Sequence, residues 1–172
     1  RRWWEVSEHR LSKGSTSRDD ARRSGRRWFP FTKGGEFRRW YGNNEYVVNW
    51  EDDGRELYDF RPRSVIRNPS SYFKEALTWT LISSSSSSFR YAPMGSVFGH
   101  KGPAILARHE DALLAVAAYL NSSSAARLLS ILSPTVGFEV GHISSLPLPP
   151  LERIGPEIAR ELVGIARDDW DS

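Results

Sequence analysis

The chain has 172 residues, a formal net charge of +3 and no cysteine. Its length suffices for one domain with a sizeable core, and the lack of cysteine excludes a disulfide framework, a cysteine-ligated zinc site and thiol catalysis. Seven tryptophans indicate a folded chain, because each indole ring needs a large apolar contact area.

Positive charge is concentrated at the beginning of the chain. Residues 1–41 carry 12 basic and 5 acidic side chains, and most of the basic ones are arginines. We expect residues 1–27 to form a basic, flexible segment, because residues 7–27 are polar and nearly free of apolar side chains. Arginines beside aromatic residues suit contacts with phosphates and bases, although a solvated loop would have the same composition.

Four short strands are predicted in the middle of the chain, within residues 45–50, 72–83, 95–98 and 104–107. Their β-branched and aromatic residues alternate with polar ones, as in half-buried strands. Asp52, Asp53 and Gly54 predict a turn after the first strand. The serine run over residues 83–88 predicts a loop, because serine offers hydrogen-bonding groups but little apolar surface.

Two consecutive helices are predicted in the second half. The first covers residues 111–120, with Glu110 and Asp111 in the first turn, where carboxylates favour the helix dipole. Ser122 or Ser123 would cap the second helix, and Pro134 would end it. We expect Leu128, Leu129 and Leu132 to face inward. A connection this short should fold the two helices back on each other.

The last part of the chain predicts a strand and a helix. Residues 138–143 favour a strand, and residues 156–170 favour a helix with Ile158, Leu162 and Ile165 on its buried face. Together the elements predict an α+β fold, in which a curved, mostly antiparallel sheet packs beside a helical hairpin and is followed by a C-terminal helix.

No convincing catalytic motif is present. The four histidines lack the spacing of an HExxH zinc site, and neither a GxSxG elbow nor a Walker-type glycine loop occurs. Glu51, Asp52 and Asp53 favour a turn over a metal site, because adjacent side chains diverge. The sequence NPSSYF at residues 68–73 only faintly resembles the Asn-Pro-Pro-Tyr/Phe motif of amino-methyltransferases. We therefore expect no catalytic, cofactor-binding or metal-binding residues here.

The remaining signal is a set of basic, amide and hydroxyl side chains that suit DNA. Arginine binds guanine and asparagine binds adenine through paired hydrogen bonds in the major groove, whereas phosphate contacts position the protein. The predicted phosphate-binding residues are Arg22, Arg23, Arg26, Arg27 and Lys33. The predicted base-reading residues are Arg38, Arg39, Asn43, Asn44, Ser85, Ser86, Arg90 and Lys101.

A structural interpretation of the same region stays open. Trp40, Tyr41, Tyr46 and Trp50 are typical core residues, and the Asn43-Asn44 pair is typical of a turn with positive φ. The two interpretations differ in whether these side chains face the solvent.

Several segments, in this order, resemble the C-terminal half of PglX-type adenine-specific DNA methyltransferases of BREX phage-defence systems, which are related to type IIG restriction-modification enzymes. The segments are KGGEFRRWYGNNEYVVNWEDDG (33–54), YFKEALTWTLISS (72–84), FRYAPMGSVF (89–98), LLAVAAYLNS (113–122) and PTVGFEVGHISSLPLPP (134–150). The last two also resemble target recognition domains of type I specificity subunits. ARELVGIARDDWDS (159–172) resembles the start of the helical spacer that follows such a domain.

The resemblance implies a target recognition domain at residues 28–150 and the start of a spacer at residues 151–172. It also implies that this chain selects a double-stranded DNA site in the bacterial cytoplasm. A separate methyltransferase domain of the same parent chain would bind S-adenosylmethionine and methylate adenine N6, and other defence proteins would be further partners. No apolar run approaches the roughly 20 residues of a membrane span.

Two alternatives remain open. One is a magnesium-dependent nuclease fragment that uses Glu51, Asp52 or Asp53. The other is a protein-interaction module of a defence complex that docks through its basic face.

Overall fold

The computed structural model describes residues 1–83, 85–133 and 137–172, and its architecture is α+β, as predicted. The helices are α1 (Arg18–Arg23), α2 (Glu51–Asp59), α3 (Glu110–Leu120), α4 (Ser123–Leu132), α5 (Val140–Ser144) and α6 (Glu157–Asp171). The strands are β1 (Trp28–Thr32), β2 (Val47–Asn49), β3 (Ala76–Trp79), β4 (Phe89–Ala92), β5 (Val97–Phe98) and β6 (Ala104–Ile105).

The strands form two three-stranded sheets in place of one curved sheet. In the first sheet, of order β2-β1-β5, β1 pairs antiparallel with β2 and parallel with β5. In the second, of order β4-β3-β6, both pairings are antiparallel. Because β4 and β5 are close in sequence but belong to different sheets, the chain between them connects the two halves of the fold.

Each sheet has its own apolar cluster. The cluster of the second sheet contains Leu77, Trp79, Phe89 and Tyr91 together with leucines of α3 and α4 and residues of α6. The cluster of the first sheet contains Phe29, Trp50, Tyr72, Phe73, Val97 and Ala21. β3 is buried at all four positions, because it is the central strand and also lies under α3.

The Asn121-Ser122 pair joins α3 to α4. Asn121 occupies the C-cap of α3, and its amide accepts a hydrogen bond from Phe89 N and donates one to Phe89 O, both at 3.0 Å. The Ser122 hydroxyl caps α4 by accepting from Ala125 N at 3.2 Å, which confirms the predicted cap. The chain direction turns by 68° between the two helices.

The strand predicted near the end of the chain is wrong. Residues 138–143 are not a strand, because extended pairing ends where Phe138 N donates to Leu81 O, and helix α5 follows. The helical turn directs Ile143 and then Leu146 into the core. Pro134, predicted to end α4, lies outside the described residues.

The buried faces of α4 and α6 also differ from prediction. Leu129 is buried, but Leu128 and Leu132 are exposed. On α6 the buried residues are Ala159 and Val163.

Ile158 and Ile165 of α6 are exposed, while Leu162 is partly buried. The inward face is therefore rotated by one residue from the predicted one. The small Ala159 side chain lets α6 lie close to α3, and Arg160 forms an ion pair with Asp111 of α3 at 2.5 Å.

Residues 7–27, predicted to be a loop, contain helix α1. Ser17 caps this helix by accepting a hydrogen bond from Asp20 N. Ala21 packs in the first-sheet cluster, and Arg18 forms an ion pair with Asp53. Sequence periodicity cannot detect a six-residue helix that depends on tertiary contacts.

Within the described ranges, no single helix has the length and apolar character needed to cross a membrane. Only α3 and α4 taken together, as a bent pair, meet those two criteria.

Candidate nucleic-acid interface

The buried side chain of Arg90 on β4 ties together three segments. It is 2% exposed. One terminal nitrogen, Nη1, donates to the carbonyl oxygen of Arg38 and to the Ser88 hydroxyl, at 3.3 and 3.4 Å. The other, Nη2, donates to the Thr80 hydroxyl at 3.2 Å. Burial lowers the pKa of Arg90 to about 10, so the side chain remains protonated near neutral pH.

Residues 33–44 form a loop that lies along the free edge of β4. Trp40 N donates to Phe89 O at 2.9 Å, and Tyr91 N donates to Trp40 O at 2.7 Å. Thr80, just after β3, donates to Gly35 O at 3.0 Å. A Cβ atom at Gly34 would lie 3.0 Å from Lys101 O. The loop therefore contacts β4, the end of β3 and the turn at residues 99–102, and Arg90 links it to the serine run.

These contacts gather five of the predicted DNA-binding residues on neighbouring loops: Lys33, Arg39, Ser85, Ser86 and Lys101. We call this set the loop surface. All but Arg39 are exposed, and Arg39 is partly exposed. The Arg39 guanidinium lies 5.4 Å from the Phe37 ring centroid. Its Nε is buried and has no hydrogen-bond partner in the described part of the chain.

Arg90 and Asn43, predicted to read bases, lie in the interior instead. The Arg90 guanidinium donates its hydrogen bonds to Arg38 O and to the hydroxyls of Ser88 and Thr80. Asn43 is 8% exposed, has φ of 60° and donates to Glu36 O at 3.0 Å. It therefore stabilises a turn with positive φ, which was the structural interpretation of the sequence.

Arg38, predicted to read bases, is directed toward α6. Its guanidinium donates to Asp169 at 3.2 Å and lies 4.8 Å from the Trp170 ring centroid. Asn44 is partly buried beside Tyr41. Burial, more than any neighbouring charge, raises the pKa of Tyr41.

The arginines of residues 22–27 belong to the other sheet. Arg22 and Arg23 are exposed on α1, and Arg26 is exposed just after it. Arg27 forms ion pairs with Glu51 and Glu56 at 3.9 and 3.3 Å. The structure therefore does not gather the predicted arginines into one cluster.

The acidic residues 51–53 serve structural roles. Glu51 pairs with Arg10 at 3.0 Å, and Asp53 pairs with Arg18. Asp52, Asp53 and Gly54 have left-handed backbone conformations, so the predicted turn is present at the start of α2. Among the described residues no group of three or more histidine or acidic side chains could hold a metal ion.

Two residues of the site were not predicted from the sequence. Thr80 joins Arg90 to the loop at residues 33–44, and Gly34 makes room for Lys101. Thr80, the last residue of the alternating LTWT segment, is a weak signal at best, because its partner Gly35 is distant in sequence.

The chain is similar over its whole length to two curated methyltransferases. It is 39% identical over 181 aligned residues to the adenine-specific methyltransferase PglX of Lacticaseibacillus casei (strain Zhang), covering 100% of this chain and 15% of the relative. It is 34% identical over 176 residues to the adenine-specific methyltransferase BrxX of Escherichia coli O9:H4 (strain HS), covering 99% of this chain and 14% of the relative.

No protein-family model matches the chain. The chain spans about one seventh of the length of these relatives. The resemblance noted from the sequence is confirmed, and the chain corresponds over its whole length to a segment of the PglX-type adenine-specific methyltransferases.

Proposed function

We propose that this chain recognises a specific double-stranded DNA site on behalf of a PglX-type adenine methyltransferase of a phage-defence system. The observation that carries the proposal is the loop surface, where cationic and hydroxyl side chains lie on three neighbouring loops. The buried Arg90 joins two of these loops, and Gly34 packs against the third at Lys101 O. Specific DNA sites are read by such groups on a preorganised support.

The residues of the loop surface would divide the work. Lys33 and Lys101 carry exposed ammonium groups that suit phosphates, since lysine acts as a point charge. Arg39 carries the planar guanidinium that suits guanine O6 and N7, and the hydroxyls of Ser85 and Ser86 can bond to any base. Arg22, Arg23 and Arg26 would contact phosphates farther along the duplex.

The methyl-transfer reaction would take place in another domain of the parent chain. We propose that a separate domain binds S-adenosylmethionine and transfers its methyl group to adenine N6, in the bacterial cytoplasm and together with other defence proteins. Both relatives are named adenine-specific methyltransferases, which supports an adenine substrate. The present chain would then bind DNA but would not methylate it.

The test is duplex binding across a salt series, with one duplex that carries the methylation site of the parent enzyme and one in which the site is scrambled. Arg39→Ala should weaken binding to the site by about 1–3 kcal/mol and reduce the preference for it. Lys101→Ala should weaken binding to both duplexes equally and lower the salt slope by about 1.

Arg63→Ala is the matched control, because Arg63 is exposed, stacks on Phe60 and lies outside the loop surface. It should leave the preference for the site unchanged. If Arg39→Ala and Arg63→Ala have the same small effect, the loop surface does not read DNA. Metal-dependent cleavage of either duplex by the chain would favour the nuclease alternative instead.

A further inference from the structure

An aromatic cleft of about 520 Å³ lies between the beginning of the chain, the loop before β2 and the end of α6. Its volume is within the roughly 300–1,000 Å³ of small-ligand sites. Four aromatic side chains contribute to its walls: Trp3, Tyr41, Tyr46 and Trp170. Proteins often use such rings to stack against flat ligands.

Backbone contacts fix the walls of this cleft. Trp3 N donates to Glu45 O at 2.8 Å, which holds the short 3-10 helix Trp3–Glu5 beside Tyr46. On the other side, Gly42 lies directly against Trp170, where a Cβ atom would approach the ring to 2.9 Å. The cleft is thus assembled from segments far apart in sequence, which explains why no sequence motif revealed it.

Basic side chains of the protein lie against the aromatic rings of the cleft. The Lys33 ammonium lies 4.6 Å from the Tyr46 ring centroid. The Arg38 guanidinium lies 4.8 Å from the centroid of Trp170, and that of Arg167 lies 5.1 Å from the centroid of Tyr41. Arg2 lies 6.0 Å from the Tyr46 centroid.

Some of the charge is compensated locally. Lys13 lines the cleft but pairs with Glu8 at 2.7 Å, and Asp171 is the acidic residue of the lining. Arg38 pairs with Asp169. Lys33, Arg2 and Arg167 lie against rings of the lining and form no ion pair with a described residue. These three cations at the edge of the cleft are therefore available to an anionic group.

A ligand that matches this cleft combines a flat ring with a negative charge. Apolar ligands would leave the cations without a partner, and simple anions would not use the rings. Asn44, which also lines the cleft, carries an amide that can donate to and accept from a base edge. A nucleotide has all three features: a flat base, a polar edge and a phosphate.

We propose that the aromatic cleft binds one nucleotide of an unpaired DNA strand, with its base against Trp3 and its phosphate near Lys33. DNA as the source rests on the proposed function, because the chain then works beside strands opened for base methylation. Lys33 belongs to both sites, but Trp3, Tyr46 and Trp170 serve the cleft alone, because duplex reading by the loop surface does not require them.

The test compares two adjacent tryptophans in a single-strand binding assay. Trp3 and Trp4 are each 51% exposed, but only Trp3 lines the cleft. Binding of a labelled oligothymidylate of about ten nucleotides is measured by fluorescence anisotropy. Trp3→Ala should weaken binding about 5- to 100-fold, as expected for loss of one stacked base. Trp4 meets the Trp3 ring edge-on, with centroids 5.4 Å apart, but does not line the cleft. Trp4→Ala should therefore change binding by no more than about twofold.

Two further ligands separate base stacking from phosphate binding, and an unpaired strand from a free nucleotide. An abasic strand of equal length keeps every phosphate and should bind Trp3→Ala and the unmodified chain equally weakly. If the abasic strand binds as tightly as oligothymidylate, or if Trp3→Ala and Trp4→Ala behave alike, the proposal is wrong. Equal affinity for deoxyadenosine monophosphate and for the strand would identify a free nucleotide as the ligand and overturn the strand assignment.

Two further measurements separate this proposal from duplex recognition. Trp3→Ala should leave duplex affinity and site preference unchanged, whereas Arg39→Ala should leave single-strand affinity nearly unchanged. Loss of duplex binding in Trp3→Ala would contradict the separation of the two sites. A thermal unfolding curve establishes that each variant is folded before binding is compared.

Discussion

Asn121→Ala should destabilise the fold by about 2–4 kcal/mol. The substitution removes two buried hydrogen bonds to Phe89. Loss of the bond to Phe89 O costs about 1 kcal/mol, and leaving the buried Phe89 N without its partner costs about 1–3 kcal/mol. Phe89 O keeps the bond from Trp40 N at 2.9 Å, so the carbonyl adds no such cost. For a domain of this size the melting temperature should fall by about 5–15 °C.

Urea unfolding followed by circular dichroism measures this loss, and hydrogen exchange locates it. Because Phe89 directly follows the serine run, exchange should rise at Phe89 and at residues 85–88 more than in β1. Asn121→Asp is the isosteric control. It keeps an acceptor for Phe89 N but directs a carboxylate at Phe89 O.

As the pH falls, the carboxyl group of Asn121→Asp gains a proton that it can donate to Phe89 O. The loss of unfolding free energy in this variant should therefore become smaller at low pH. This change is measured relative to Asn121→Ala at each pH, so that general acid effects cancel. If Asn121→Ala unfolds within about 0.5 kcal/mol of the unmodified chain, the amide does not hold β4 and the reasoning fails.

Three further predictions concern the scaffold. In urea unfolding, Ser122→Ala should lower the free energy of unfolding by about 1 kcal/mol, because the α4 cap is lost. Ser123 lacks that bond, so an equal loss in Ser123→Ala would contradict the prediction. Gly54→Ala should cost at least about 2 kcal/mol, because φ is +80° and the new Cβ would lie 2.8 Å from the Trp50 ring; Gly14→Ala, with open space around it, should be nearly neutral in the same assay. Val163→Ala should lower the free energy of unfolding by about 2 kcal/mol, whereas the exposed Ile165→Ala should stay within about 0.5 kcal/mol; the reverse order would mean that α6 packs through another face.

Local signals predicted the well-marked elements of the fold. The periodic leucines and first-turn acids of α3, the cap at Ser122 and the glycine-containing turn before α2 all lie in the sequence itself. Helix α5 and the buried face of α6 were mispredicted because their orientation depends on neighbours. Before α5, Phe138 is held by Trp79, whose Nε1 donates to the Phe138 carbonyl at 2.7 Å. On α6, the small residue Ala159 faces inward because α3 lies close to it.

The candidate site was predictable in residue type but not in arrangement. Lys33, Arg39 and Lys101 were named from their chemistry, and the structure leaves all three at least partly exposed on neighbouring loops. Arg90 was named for the same chemistry but is buried. Nothing in its sequence neighbourhood distinguishes an arginine that binds loops from one that binds DNA, because that difference arises from partners at residues 38 and 80.

The contacts of Arg90 have a consequence for how this surface can diversify. One of its three acceptors is a main-chain carbonyl, which any residue at position 38 would supply, and the other two are small hydroxyls beneath the surface. The side chains at positions 39, 85, 86 and 101 can therefore be exchanged without disturbing the anchor. A preference for a new DNA site could therefore evolve by single substitutions at these exposed positions, while the loops and their Arg90 contacts stay the same.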